Sequence, residues 1–437
     1  MRKSLSVVLV LLLLSTLFLS GCKAKEASKG GAKATELTFW TFNGLHVTFY
    51  EEMVKEWNEI HPDRPIKLNS VVYPYGQMHD NLSISLMAGE GVPDLADIEL
   101  SRFATYLKGK EIPLTDLTSL VESERDKFVE ERLDIYSKDG AVYGLDFHVG
   151  SAVMFYNTEL LDKAGVNPGD IETWSDYTEA GEKVLRATGK PMTTWETTDQ
   201  YSYIPMISQQ NSGYIDKNGK IILDNEKNIR ALELIEKMVH ESKTAVPAPG
   251  GTHHMEEYYG FMNQDGAASV LMPIWYMGRF LDYMPDLKGK IAIHPLPAWE
   301  PGGSRSAGVG GTGTVIPKQG ENIELTKEFL KFSKVSKEGN KKIWTMLGFD
   351  PLRWDVWNSK EVRAKNEYTE YFVNGDEIFD ILLDIKDEIN PLYVSEDFPQ
   401  VADAVKRTVL YSTLRKRGQT PEEILKSAAK ELRENQN

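Results

Sequence analysis

Apolar positions along this chain follow two alternating periods. Leu37-Thr38-Phe39-Trp40 is a compact apolar run of strand length. After a turn at Asn43-Gly44, apolar residues recur at helical spacing as Val47, Tyr50, Met53, Val54 and Trp57, which predicts a helix with one buried face. A second strand is expected over 66–72, a helix over 78–88 closed by Gly89, and a third strand through Val92-Pro93-Asp94-Leu95-Ala96-Asp97-Ile98. Strands alternating with helices in this way build a parallel sheet, because parallel neighbours need a long crossover between them.

The pattern shifts at Tyr143-Gly144-Leu145-Asp146-Phe147-His148 and resumes with the strand-like Ala152-Val153-Met154-Phe155. Helices are expected near 174–188 and 227–241, and another strand over 266–272, followed by Pro273-Ile274-Trp275. A Pro/Gly-rich bridge spans 295–313. Two helices come next, one carrying Leu325, Phe329 and Phe332 and one around 341–347. The chain ends in amphipathic helices marked by Val401, Val405 and Val409 and by Ile424, Ala428 and Leu432. Thr420-Pro421 supplies an N-cap and a first-turn proline for the last of them. There is no internal repeat.

At the N-terminus, Arg2 and Lys3 precede an apolar run over 7–19, and the small pair Ser20-Gly21 stands before Cys22. That run is shorter than the ~20 residues a membrane-spanning helix needs. It resembles the lipobox of bacterial lipoproteins, which implies removal of residues 1–21 and a lipid on the Cys22 thiol. Residues 22–35, rich in Lys, Ala, Gly and Ser, read as a flexible tether. Such a chain sits on the outer face of the cell membrane.

With Cys22 acylated no thiol is left, so disulfides and thiolate metal sites are excluded and the fold must hold by burial alone. About 400 residues remain, enough for two cores. The formal charge of −15 becomes −17 once Arg2 and Lys3 leave with the signal. That balance argues against nucleic acid and anionic lipid surfaces and fits a neutral or cationic ligand; it serves solubility equally well. Nine Trp and nineteen Tyr offer flat apolar faces, most of which a core of this size will absorb.

Taken in order, the lipobox, the tether, Leu37-Thr38-Phe39-Trp40-Thr41-Phe42-Asn43, Gly91-Val92-Pro93-Asp94-Leu95, Tyr143-Gly144-Leu145, Met154-Phe155-Tyr156-Asn157-Thr158-Glu159-Leu160-Leu161 and Gly266-Ala267-Ala268-Ser269-Val270 resemble an extracellular solute-binding protein (family 1) of a sugar ABC transporter. Within that family, the stretch from Thr38 through Pro74-Tyr75-Gly76-Gln77-Met78-His79-Asp80-Asn81-Leu82 is similar to the members that take arabino-oligosaccharides. The resemblance implies a two-lobed α/β fold of the periplasmic-binding-protein (Venus flytrap) type, acting as a monomer that delivers an oligosaccharide to permease subunits, with no catalysis and no cofactor. It implies discontinuous lobes, 36–147 plus 300–349 and 148–299 plus 350–437. The crossings are expected near 145–150, 295–304 and 349–354, and closure would be a hinge motion about them.

A sugar offers hydroxyl edges and apolar C–H faces, so its site needs polar forks beside aromatic platforms. Asn43 and His46 follow the first strand at its carboxyl end, where open α/β sheets place ligands, although His46 could instead cap the next helix. Glu99 and Arg102 follow the third strand, free for ligand or paired with each other. Asp146 and His148 lie at the first crossing, where the family resemblance implies sugar contact. Trp195 and Tyr201 flank a polar loop. Trp275 occupies the place where the resemblance implies a stacking aromatic, with Arg279 one helical turn beyond and Tyr276 open between core and cleft. Of the cluster Trp344, Phe349, Arg353 and Trp354, the last is expected in the cleft.

Three apparent motifs are set aside. Gly308-Val309-Gly310-Gly311-Thr312-Gly313 matches GxGxxG but leads into the strand-like Thr314-Val315-Ile316-Pro317, whereas a phosphate cradle must open a helix; backbone approach to sugar near Gly311 suits it better. His253-His254-Met255-Glu256-Glu257 lacks the convergence a metal needs, and no metal is expected. No GxSxG surrounds a nucleophilic serine. A glycoside hydrolase with two carboxylates, and a polyamine or peptide binder on the same fold, are the competing readings.

Overall fold

The structure is a computed structural model that describes residues 32–436 apart from 110, 391 and 417. The export signal, Cys22 and most of the tether lie outside the described residues.

The first sheet is built from β1 (Thr35–Thr41), β2 (Ile66–Val72), β3 (Leu95–Glu99) and β4 (Leu145–Asp146), joined by a strand from much later in the chain. β1 runs parallel to β2 from Thr35↔Ile66 to Thr41↔Val72, and parallel to β3 at Phe39↔Leu95. Helix α1 (Gly44–Ile60) starts where the Asn43 side chain accepts from the Leu45 amide, and it buries His46, Phe49, Tyr50, Met53 and Trp57. The buried face is thus rotated from the one the valines suggested: Val47 and Val54 are only half-buried. Helix α2 (Tyr75–Ala88) stops at Gly89, which takes the left-handed conformation at φ 71°.

The second sheet is antiparallel, with β5 (Ala152–Asn157) between β6 (Ser269–Pro273) and β7 (Ile291–Pro295). Every residue of β5 is buried because both faces are covered. Its side chains alternate: Met154 and Tyr156 join the core that holds Tyr177 of α3 (Trp174–Thr188), while Val153 and Phe155 join the opposite core with Phe280 and Phe372. Each such side chain contributes roughly 1.5–3 kcal/mol of burial. α3 begins at a Thr173–Asp176 capping box and ends at a left-handed Gly189.

The chain then returns to the first sheet as β8 (Thr312–Val315), inserted between β3 and β4 and antiparallel to both. The sheet is therefore mixed where the sequence predicted a parallel one. β8 arrives from the other lobe rather than through a crossover helix on its own sheet, so nothing imposes the parallel direction. The helices over Ile323–Leu330 and Lys337–Leu347 cover α1, with Phe329 ring-to-ring against Tyr50 and Trp57 at 6.0 Å and Lys342 2.9 Å from Glu56. The last helix, Pro421–Asn435, has the Thr420 cap and first-turn proline that the sequence predicted, and Arg433 ties it to Asp224 of the second lobe.

The chain passes from the first sheet to the second between β4 and β5 and returns between β7 and β8, and a third crossing after Leu347 leads to helices that pack against the second sheet's core. The second crossing lies later than its Pro/Gly content suggests. Residues 296–307 stay with the second lobe, held by Leu296 N to Arg305 O (2.8 Å), Gln209 Nε2 to Ser304 O (2.9 Å) and Ala152 N to Ala307 O (2.9 Å). We therefore place the return at 308–311 instead of 295–304.

A cleft between the lobes as candidate functional site

A cavity of about 830 Å³ opens between the two sheets. That is the upper part of the range for small-molecule sites and too large for a single sugar ring to fill. The first lobe contributes Phe42 and Tyr75, set edge to face at 5.2 Å. The second contributes Trp275, with His254 stacked on it at 5.7 Å and 17° and Tyr201 edge-on at 5.4 Å. Aromatic faces thus stand on both sides of the opening.

Eight of the twelve residues the sequence nominated line this cavity: Asn43, His46, Glu99, His148, Tyr201, Trp275, Arg279 and Gly311. His46 is not the helix cap; Asn43 is. The His46 Nδ1 faces Asp97 at 2.8 Å, and its Nε2 takes the Asn43 side-chain amide at 3.1 Å. Because Asn43 Oδ1 already accepts from Leu45 N, its NH₂ is the donor, which fixes His46 as the Nδ1–H tautomer. Asp97 is fully buried and also accepts from the Thr41 and Thr314 hydroxyls at 2.7 and 2.8 Å. His46 therefore offers the cavity a ring edge and no free nitrogen. Its face is stacked on Phe147 at 3.7 Å, and the amine of the buried Lys334 sits over the other face of Phe147. Burial pushes Lys334 well below the ordinary lysine range, against the pull of Asp146 and Asp97.

Glu99 collects all its hydrogen bonds on Oε2, from Ser101 N (2.9 Å), the Tyr75 hydroxyl (3.0 Å) and the Ser101 hydroxyl. Oε1 has no partner. Burial raises its pKa, only partly offset by these donors. Across the cleft, Asp199 has one bond, from Gln200 N at 2.8 Å. Burial, followed by the charge of Glu196, pushes Asp199 up to about 7. Glu196 itself is saturated by Thr252, His253 and Ser202. His148 and His254 are driven down to about 3, chiefly by burial, and each keeps one buried nitrogen without a partner among the described residues, Nδ1 and Nε2 respectively. Arg279 lines the cavity with no ion pair among the described residues; its guanidinium lies over the Tyr283 ring at 5.8 Å.

Asp199 gives a pH prediction. A carboxylate whose folded pKa is raised binds more proton folded than unfolded, so its presence costs stability as pH climbs from about 4 through about 7. Asp199→Asn should lift the thermal midpoint at pH 8 and leave it unchanged at pH 4. A midpoint gain equal at both pH values would show that ionisation of Asp199 is not its source.

Four nominated residues are committed elsewhere. Asp146 is fully enclosed, 2.5 Å from the buried Arg132 guanidinium and accepting from the amides of Phe147 (2.8 Å) and Thr312 (2.9 Å). Trp195 lies in a short strand paired with Ala245–Pro247 and is 1% exposed. Arg102 lies outside the cavity lining, 5.9 Å over the ring of Tyr75, and makes no ion pair with Glu99 among the described residues. Trp354 turns its indole to Asp126 O at 3.1 Å with Lys386 over its ring. Tyr276 is core, its hydroxyl on the His253 carbonyl. The cavity is also lined by Tyr75 and Asp199, which were not nominated, by Phe349, named only within its cluster, and by His254, set aside with the metal candidates. Among the described residues no group of three His, Cys, Asp or Glu could hold a metal, and no helix is long and apolar enough to cross a membrane.

The sequence matches the bacterial extracellular solute-binding protein family over residues 43–341, more than half of the chain. It is 65% identical to the arabinooligosaccharide-binding protein of Bacillus subtilis, covering 99% of this chain and all of the relative. It is 50% identical to the arabinooligosaccharide-binding protein of Halalkalibacterium halodurans, covering 92% of this chain and 90% of the relative. The fold is similar to that of a binding protein from B. animalis subsp. lactis in complex with beta-1,6-galactobiose, with a TM-score of 0.73 at 20% identity, covering 92% of this chain and 98% of that one. A family match over more than half of the chain and 65% identity along the whole length of a known member agree: the chain belongs to the bacterial extracellular solute-binding proteins.

Proposed function

We propose that this protein captures arabino-oligosaccharides between its lobes and delivers them to an ABC permease, tethered to the outer face of the cell membrane as a monomer through lipidated Cys22. The observation that carries the reading is the cleft itself: aromatic faces from both lobes bound one cavity whose polar groups are hydrogen-bonding forks, which suits a neutral polyol with apolar faces. The ligand contacts we assign are Asn43, Glu99, His148, Tyr201, Trp275, Arg279 and the backbone at Gly311, with Tyr75 and Asp199 added by the geometry. Its permease would read the two lobes brought together by the sugar.

Calorimetry with arabinotriose and with spermidine tests this, with the sugar recovered afterwards. The expected outcome is binding of arabinotriose alone and its recovery intact. Cleaved sugar, or tighter binding of spermidine, would overturn the reading. The anchor is checked in the same cells, since Cys22→Ala should move the protein from the membrane fraction to the medium with its affinity unchanged.

A further inference from the structure

The three crossings are not independent strands of hinge; they are bonded into one unit around a buried carboxylate. Asp350, on the third crossing, is fully enclosed. Its Oδ1 accepts from Gly150 N at 3.1 Å, its Oδ2 from Ser151 N at 2.8 Å, and its own carbonyl accepts from Val149 N at 2.9 Å. All three donors are on the first crossing. Gly150 then reaches the second crossing, its carbonyl accepting from Val309 N at 2.9 Å. The approach is so close that a Cβ on Gly150, whose φ is +71°, would stand 2.2 Å from the Val309 carbonyl oxygen. Only glycine fits there.

That carbonyl oxygen is the acceptor for the Trp275 indole N–H, at 3.1 Å. Ile274, one residue before Trp275, donates its amide to the Ser151 carbonyl at 2.9 Å. The wall of the cavity and the hinge are thus joined at two successive residues. Trp275 also packs against apolar clusters of both lobes. Burial pushes the Asp350 carboxyl up to about 6, so at pH 7.5 it is ionised and can accept from both amides.

We propose that Asp350 is a positioning residue for ligand capture, a pin that holds Gly150 and Ser151 so that Val309 and Trp275 transmit ligand contact to the hinge. The inference rests on the reading that Trp275 touches the sugar. Asp350 lies outside the cavity lining. Removing its charge therefore alters the angle at which the aromatic wall meets the sugar, and with it the closing of the lobes. A ligand shifts a two-state hinge only through contacts that differ between the states, and the indole-to-Val309 bond places one such contact at the crossing itself.

The experiment uses arabinotriose at pH 7.5 with the full mature chain. Asp350→Asn leaves one acceptor and turns an NH₂ toward the other amide. We expect affinity to fall about tenfold and the ligand-induced compaction in solution scattering to shrink. Wild-type affinity and compaction in a variant with a normal midpoint would overturn the proposal. Should Asp350→Asn fail to fold, a second measurement decides. In the wild type, the amide resonances of Gly150 and Ser151 should move on saturation with sugar. In Trp275→Phe, which keeps a ring but loses the donor to Val309, they should stay nearly still although the sugar is bound. A sugar-induced movement of these resonances in Trp275→Phe as large as in the wild type would refute the coupling. Trp275→Ala separates the two readings. Full affinity in that variant sinks the site assignment, whereas weakened binding there with normal Asp350→Asn sinks only the pin.

Discussion

Replacing Trp275 by alanine should cost ~2 kcal/mol or more of binding free energy, roughly thirtyfold in affinity for arabinotriose. The size follows from where the ring sits. His254 backs it in a near-parallel stack, Tyr201 meets it edge-on, and its N–H is already spent on the Val309 carbonyl. The platform is held in place before ligand arrives, so the sugar does not have to order it, and preorganisation of that kind converts contact area into affinity. Alanine removes the platform and also leaves the Val309 carbonyl without its donor. Isothermal titration calorimetry on wild type and variant, with thermal midpoints as the control for folding, measures the effect. A variant with wild-type affinity and a wild-type midpoint would mean that the ring is merely part of the wall.

Periodicity made most of the elements legible. β2 has the boundaries expected of it, and α3 spans Trp174–Thr188 because a capping box and a glycine punctuate it at either end. What the sequence hides is long-range demand on polar groups. Asp146 looks available at a hinge until Arg132, fourteen positions earlier, is found to claim it. The Trp354 indole is taken by the Asp126 carbonyl, 228 positions away. His254 shows the converse: as one of two adjacent histidines it suggested a failed metal site, yet its neighbour His253 turns inward to Thr194 while His254 lines the cleft. The late second crossing has the same origin. A Pro/Gly-rich run reads as a linker, but Gln209 and Arg305 bind its carbonyls and keep it on the second lobe. Local pattern decides which residues form strands and helices; which polar groups remain for a ligand is settled only after the interior has taken its share.

Asp146→Asn should destabilise the fold by about 3 kcal/mol or more while weakening sugar binding far less than Trp275→Ala does. Arg132 is 1% exposed, and breaking a buried pair leaves the remaining charge uncompensated, at a typical cost of about 3–5 kcal/mol. Asp350 also favours the Arg132 charge, but it acts after Asp146 and its own oxygens are bonded to the Gly150 and Ser151 amides. The same guanidinium donates to Gly310 O at 2.6 Å, while its Nε and remaining NH group have no partner among the described residues. Gly311, beside it, approaches so closely that a Cβ would stand 2.2 Å from the guanidinium. The pH dependence has a definite sign. Burial alone would raise the Asp146 pKa, but Arg132, then His148 and the Thr312 amide, outweigh it and hold it below the ordinary carboxylate value. A lowered pKa contributes stability that is present above about 4 and lost as pH falls further. The gap between wild type and Asp146→Asn in urea melts should therefore persist from pH 8 down to about 5 and narrow only in stronger acid. If the variant instead kept wild-type stability and lost its affinity for arabinotriose, Asp146 would be the ligand group that its place at the hinge suggested, and the Arg132 pair would be incidental to the fold.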